Sequence, residues 1–293
     1  MKKISLVALF AALVAVNVNA TDLVTDTTHV TWTTPLHIEA AQFANAQPGQ
    51  KIVITYTDAK EMVDGENKGS VIEFKVMNAH FDHLAGSREA LRLWDNGSLE
   101  QFLTASAVDS IKAHGLEITG NDFTVTKVEL NDGKELKDGI TVWTGFFWAD
   151  NWSTLELYRD GYCYVDFSKV SAIRFYSEAA GTDYVLNFKE SWEEPAGNIA
   201  NAGDMTDGAG YKELALTDAL RTRLANAGHW MIQFNKEALN PFNVTDIVLV
   251  PTDSTTAISN IAIEAKTVKM IENGQVLIRK GDKIYNALGA EIK

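Results

Sequence analysis

One stretch of this chain occurs twice, and the duplication limits what the chain can fold into. From Leu103 the sequence reads LTASAVDSIKAHGLEITGNDFTVTKVEL, and from Leu216 it reads LTDALRTRLANAGHWMIQFNKEALNPFNVTDIVLV. Both copies open with Leu-Thr, pass through a short amphipathic segment to a Gly about eleven residues on, cross an apolar strand and close on Phe-x-Val-Thr-x-Val/Ile-x-Leu. Leu103, Thr104 and Gly115 precede Leu216, Thr217 and Gly228 by 113 positions, whereas Phe123, Val125 and Thr126 precede Phe242, Val244 and Thr245 by 119. A small insertion around Ala238 to Pro241 accounts for the difference. Stacked solenoid units repeat every 20–50 residues or so, and a spacing this long means a doubled domain.

The rest of each copy reads as short strands. Lys51 to Thr57 alternates and is rich in β-branched residues, Val71 to Met77 repeats that signal, and Leu99 to Leu103 gives a weaker one. Thr21 to Thr34 reads as a lead-in to a first strand near Trp32, Leu36 to Ile38 as a further strand, and Gln42 to Gln50, with its Pro-Gly pair, as a turn. In the second copy Ile173 to Ser177 takes the place of Ile52 to Tyr56, and Tyr184 to Phe188 that of Val71 to Val76. Only Ala105 to Ala113 has helical spacing in the first copy. Strands every ten or so residues with one short helix argue for an all-β fold of the β-sandwich kind. The expected units are 21–133 and 138–252, divided by the polar, turn-rich run Asn131 to Gly139. A linker at Asp253 to Thr256 and a small β tail over 258–293 follow. The tail has turn signals at Asn273-Gly274, Lys280-Gly281-Asp282 and Leu288-Gly289, and some 35 residues cannot bury a core of their own.

The first twenty residues read as an export signal. Lys2 and Lys3 form a basic start, Ile4 to Val16 an apolar core, and Val18-Asn19-Ala20 a small-residue cleavage site. No later run reaches the roughly 20 apolar residues of a membrane span, so the expected location is the periplasm, cell surface or medium. The formal charge of −13 becomes −15 once both lysines leave. An acidic chain without a basic stripe has nothing to offer a phosphate backbone, which argues against nucleic acid as partner. Cys163 is the only cysteine, so neither a disulfide framework nor a thiolate zinc site can form, and its Tyr-Cys-Tyr-Val setting reads as a strand thiol.

Trp143-Thr144-Gly145, Asn151-Trp152, Trp192-Glu193-Glu194-Pro195-Ala196-Gly197 and the Leu-Thr…Gly…Phe-x-Val-Thr-x-Val unit together resemble the non-catalytic jelly-roll domains of secreted Bacteroidales proteins. Those domains are often in tandem and often ahead of cellulase-type glycoside hydrolase modules. The resemblance implies two tandem jelly-roll β-sandwiches, each with one short helix, and a carbohydrate-binding role. The second copy carries the motifs best. The first departs from them: its opening shortens to His29-Val30-Thr31-Trp32-Thr33-Thr34, and Phe81 stands where the second has Trp192. The tail from Val268 to Lys293 resembles the start of a type IX sorting domain.

Four of the seven tryptophans, Trp143, Trp148, Trp152 and Trp192, fall within fifty residues of the second copy. An indole plane can stack on the C–H face of a sugar ring while the ring hydroxyls stay wet or meet side-chain acceptors. Trp148, Asp150, Asn151, Trp152 and Trp192 are therefore the candidate carbohydrate-binding residues, with a polysaccharide or oligosaccharide as partner. Trp143 and Trp230 read as core. The turn-like settings of Trp152 and Trp192 suit either a platform or packing. The competing class is a structural or adhesion module at the cell surface, with its aromatics in the core.

A third class is a metal-dependent hydrolase. Asn78-Ala79-His80-Phe81-Asp82-His83-Leu84-Ala85-Gly86 is similar to the metal-binding run of the metallo-β-lactamase superfamily, which would make His80, Asp82 and His83 zinc ligands. Asn78 stands where the first ligand should be, and the corresponding run of the second copy, Trp192 to Gly197, holds no His. Glycoside hydrolysis needs two carboxylates across a cleft, and Glu193-Glu194 are mere neighbours. No nucleophile elbow, phosphate loop or dinucleotide fingerprint is present, so no catalytic constellation or cofactor is expected. Asp204 and Asp207 are weak candidates for a structural calcium through oxygen ligands.

Overall fold

The computed structural model describes residues 20–60, 69–88, 90–93, 95–150, 152–158, 164–178, 184–193, 195–235 and 242–252, and the backbone of four short strands between 268 and 292. The export-signal residues 1–19, Asn151, Cys163, Glu194, the insertion around Ala238 to Pro241, the linker at 253–256 and the tail's turn residues lie outside them.

The first unit contains β1 (Thr21–Val24), β2 (Thr28–Val30), β3 (Leu36–Ile38), β4 (Lys51–Thr57), β5 (Val71–Val76), β6 (Leu91–Arg92), β7 (Gly97–Phe102), α1 (Ala105–His114), β8 (Leu116–Asn121) and β9 (Phe123–Asn131). The second contains β10 (Ile140–Ala149), β11 (Ser153–Tyr158), β12 (Val170–Ser177), β13 (Val185–Lys189), β14 (Asn198–Ala200), β15 (Thr206–Gly208), β16 (Tyr211–Ala215), α2 (Asp218–Asn226), β17 (His229–Asn235) and β18 (Phe242–Pro251). The tail forms an antiparallel meander of β19 (Val268–Glu272), β20 (Gln275–Lys280), β21 (Lys283–Asn286) and β22 (Glu291–Ile292).

All described strand pairs are antiparallel. In the first unit the sheets run β1-β9-β4-β7, with β2 also on β9, and β3-β8-β5-β6; in the second they run β10-β18-β12-β16-β15 and β11-β17-β13-β14. Counting β1 and β2 as one interrupted strand and β15 as a hairpin partner of β16, both units have the orders 1-8-3-6 and 2-7-4-5. This is the jelly-roll arrangement. Two separate cores fill the sandwiches: Ile52, Ile54, Phe74, Ile118, Phe123 and Val125 belong to one, and Phe175, Phe188, Trp230, Ile232, Phe234 and Ile247 to the other.

The repeated motif now has physical content. Leu103 and Leu216 are buried, and each following Thr caps a helix. The Thr104 hydroxyl accepts from Ala107 N–H at 3.1 Å and that of Thr217 from Leu220 N–H at 3.2 Å, a contact worth about 1 kcal/mol. Phe123 and Phe242 open the last strand facing their cores. The two glycines are not equivalent. Gly115 ends α1 at φ +85°, and a Cβ there would lie 2.6 Å from the Ile38 carbonyl oxygen, whereas Gly228 follows a helix closed by Ala227 and faces open space.

The lead-in differs from expectation: two strands, β1 and β2, form before Trp32, because their backbones find β9 as a partner. Trp32 sits in the turn that follows. The stretch expected as a turn at Gln42 begins inside a single 3-10 turn, Ala40–Phe43, which points Phe43 into the core.

The two sandwiches meet along β10 and β11, the outermost strands of the second unit's sheets. Phe102 packs edge-on to Phe146 at 5.6 Å, the Arg88 guanidinium lies 4.7 Å over Phe147, and His83 stacks on Tyr158 at 4.2 Å. Lys134, from the connecting run, donates to the carbonyls of Gly145 and Thr245 at 3.1 and 2.6 Å and pairs with Asp246 at 3.2 Å. Asp246 is buried and also accepts the Thr144 hydroxyl at 2.8 Å. Burial pulls the Lys134 ammonium below the usual lysine range, and Asp246 partly restores it.

Two outcomes follow from these contacts. Gly115→Ala should lower stability by about 1–3 kcal/mol, from the left-handed backbone and the clash, while Gly228→Ala stays within about 0.5 kcal/mol; urea unfolding of both variants measures the contrast. The Glu73 carboxyl is held below the usual glutamate range, first by its hydrogen bond to His83 and then by Lys75, against the cost of burial. A carboxyl with a lowered folded pKa contributes stability above its ordinary titration range and loses it as pH falls through the lowered value. Glu73→Gln should therefore flatten the acid limb of a Tm–pH curve, and an unchanged limb would refute this role.

Candidate functional site

Successive strands of a jelly roll reverse direction, so the connections between strands one and two, three and four, five and six, and seven and eight gather at one end of the sandwich. The other three gather at the opposite end. This decides which candidate residues can act together. Trp148, Asp150 and Trp152 belong to the first connection of the second unit, β10 to β11, and Trp192 to its fourth, β13 to β14. Ser153 and Leu186 are both level with Phe234 on β17. The chain then runs three more residues to Lys189, roughly 10 Å at about 3.3 Å each, before it leaves the sheet towards Trp192. Of the expected group, the topology therefore assigns Trp148, Asp150 and Trp152 to one end of the sandwich and Trp192 to the other; Asn151 is outside the described residues.

From Phe146 to Ala149, β10 alternates. Phe147 and Ala149 enter the core, and Phe146 and Trp148 point outward. Trp148 is 59% exposed and Trp152 47%. Asp150 and Ser153 close the turn between them, with Asp150 N–H donating to the Ser153 hydroxyl at 2.9 Å and Ser153 N–H to the Asp150 carbonyl at 3.3 Å. The Asp150 side chain is exposed. Trp152 holds a left-handed backbone, φ +59°, a conformation that a bulky residue adopts only at a cost of roughly 1–3 kcal/mol. The turn thus keeps a large apolar ring both exposed and strained.

Polar groups that the sequence did not single out lie beside Trp148. Asn243 pairs with it across β18, and its amide donates to the Glu178 carboxylate at 2.8 Å. Directly opposed residues on one sheet face have Cβ atoms about 5 Å apart, so the Trp148 ring borders an amide and a carboxylate. Further across the same outer face, Tyr176 and Tyr211 are cross-strand partners with ring centroids 5.0 Å apart; Arg174, paired with Glu213 at 2.7 Å, covers Tyr211 at 4.8 Å. A ring with amide and carboxylate neighbours can take the apolar face of one sugar and hydrogen-bond its hydroxyls.

The remaining candidates have other settings. Trp192 is 57% exposed, with the Lys189 ammonium 5.5 Å from its ring. Trp143 and Trp230 are buried. The run similar to a metallo-β-lactamase motif does not converge: Asp82 accepts from the Asn78 side chain at 2.9 Å, His83 lies against Glu73 and Tyr158, and His80 is exposed. Asp204 receives Asn201 N–H at 2.8 Å and Asp207 pairs with Lys212 at 2.7 Å, so the two carboxylates serve separate partners. Among the described residues no three His, Cys, Asp or Glu side chains are placed to share a metal ion, and no helix is long and apolar enough to cross a membrane.

No protein-family description and no curated protein matches the sequence. Among solved structures, one similar chain is SGBP-B of the Bacteroides ovatus mixed-linkage glucan utilization locus, in complex with a mixed-linkage heptasaccharide, at 16% identity and a TM-score of 0.30 over 38% of this chain and 29% of that one. The match thus takes in less than a third of that protein's length. Another is a Parabacteroides distasonis protein described as secreted, at 10% identity and a TM-score of 0.21, over 84% and 85% of the two chains.

The strain at Trp152 yields a test. Trp152→Gly should leave thermal stability equal or raise it by up to about 1 kcal/mol, since glycine accepts the left-handed backbone. A clear loss of stability, read by denaturant melts, would show that the ring packs rather than being displayed.

Proposed function

We propose that this protein is an exported, non-catalytic carbohydrate-binding protein that stacks a neutral polysaccharide or oligosaccharide on Trp148 and Trp152 of the second sandwich. The carrying observation is that both indoles are exposed in one connection, Trp148 at the end of β10 and Trp152 within the turn that Asp150 and Ser153 close. Trp143 and Trp230 show that the same unit buries tryptophan where packing calls for it. Asp150, Glu178 and Asn243 supply hydroxyl partners around the rings. The leader-like residues Met1 to Ala20 support export. A platform of two rings gives affinity in the micromolar to millimolar range, about −8 to −4 kcal/mol.

In native gels containing plant glucans or mannans, the wild-type chain should be retarded by at least one polysaccharide. Trp148→Ala and Trp152→Ala should each weaken that retardation by roughly tenfold or more, with melting temperatures close to wild type. Absence of retardation by every glycan, or retardation indifferent to both substitutions, would favour the structural or adhesion reading instead.

A further inference from the structure

We infer that the first sandwich carries a second saccharide contact at Trp32, so that the protein grips a polysaccharide chain at two points. This rests on the carbohydrate-binding reading of the second sandwich. The position is the first argument. Trp32 lies in the connection from β2 to β3, the same connection of the jelly roll that holds Trp152 in the other copy, and therefore at the corresponding end of its own sandwich. It is 50% exposed, against 47% for Trp152.

The local geometry is the second argument. Thr31 and Thr34 exchange backbone hydrogen bonds, Thr31 N–H to the Thr34 carbonyl at 3.2 Å and Thr34 N–H to the Thr31 carbonyl at 3.1 Å. These close a tight turn with Trp32 and Thr33 at its tip. The Thr31 and Thr33 hydroxyls lie 3.2 Å apart, and Thr33 N–H donates to the Thr31 hydroxyl at 3.3 Å. The tip is a pre-formed apolar plane beside two hydroxyls, and fixing it beforehand lowers the ordering cost of binding. Trp32 is not part of the core of the first sandwich. His29, Asp122 and Lys60 come to the same end of the sandwich, where His29 and Lys60 both pair with Asp122, and they give it a polar rim.

The repetition is the third argument. The two copies differ at most positions, yet each shows an exposed aromatic in the first connection, Trp32 or Trp152, and another in the fourth, Phe81 or Trp192. Phe81 and Trp152 both do so from left-handed backbone, φ +49° and +59°. Shared burial would follow from a shared core. Shared exposure of aromatic rings has no such cause, and it makes ring display a property of the doubled unit. The contacts between the units, among them Lys134 with Asp246, hold the two displays in one body. A second contact then forms at an effective concentration set by the protein itself, and only a ligand long enough to reach both sites gains from it.

The test compares polymer with oligomer. Retardation in gels of barley β-glucan and of konjac glucomannan, and titration with the hexasaccharide of each, are measured for wild type, Trp32→Ala, Trp148→Ala/Trp152→Ala and the triple variant. Trp32→Ala should weaken retardation by the polysaccharide tenfold or more. It should leave the hexasaccharide affinity of the Trp148 and Trp152 site unchanged, and the double variant should keep a weak affinity that the triple variant loses. If Trp32→Ala is retarded like wild type and the triple variant matches the double, the second contact does not exist while the first stands. If the wild type binds neither glycan in any form, the carbohydrate reading itself fails and takes this inference with it.

Discussion

The pleat of a strand sends alternate side chains to opposite faces, and a sandwich can bury only one face of each sheet. That constraint organises this protein. Ile52, Ile54 and Tyr56 on β4, Ile72, Phe74 and Val76 on β5, and Leu155 and Leu157 on β11 all keep the buried phase. Fully burying a Phe or Leu is worth about 1.5–3 kcal/mol, so a large apolar residue on the outward phase forgoes a gain that the fold could have taken. β10 forgoes it twice, at Phe146 and Trp148. Phe146 is accounted for by the junction, where Phe102 and Lys134 meet its ring. Trp148 has no such neighbour among the described contacts, and that contrast within one strand separates a packing aromatic from a displayed one.

The junction also answers a problem of edges. β10 and β11 are outermost strands, and an open edge invites pairing with another chain. The first sandwich sets Gly86, Arg88 and His83 against them, with Gly86 at φ +76° so close that a Cβ would lie 3.1 Å from the Val142 carbonyl oxygen. A buried ion pair such as Lys134 with Asp246 adds little over apolar packing, but losing one partner strands the other and costs about 3–5 kcal/mol.

Much of this was legible in the sequence. The spacing of Ala105 to Ala113 announced α1, and the β-branched alternation placed β4, β5, β12 and β13 in matching positions of the two copies, whereas the capping role of Thr104 and Thr217 emerged only from the structure. What was missed depended on distance along the chain. Trp148 and Trp192 look like members of one cluster because 44 positions separate them, yet strand reversal sends them to opposite ends. Asn243 and Glu178 became neighbours of Trp148 only through the pairing of β18 with β10. The paired Gly looked equivalent in both copies until the backbone angle distinguished Gly115 from Gly228. His83 resembled a metal ligand from its place in the Asn78 to Gly86 run, and its actual stacking partner, Tyr158, belongs to the other unit and could not be read from that run.

The charge around the displayed rings limits the proposed ligand further. Asp150 lies between Trp148 and Trp152 in the chain, and Glu178 is bonded to Asn243, the strand partner of Trp148; in a chain whose formal charge is −13, a uronate or sulfate set on those indoles would be repelled by these carboxylates, the more so at low salt. A neutral sugar meets no such repulsion. Its hydroxyls can donate to the same carboxylates in charge-assisted hydrogen bonds, which are roughly twice as strong as neutral ones. The acidity that argues against a phosphate backbone as partner thus agrees with the uncharged glycan proposed for these rings.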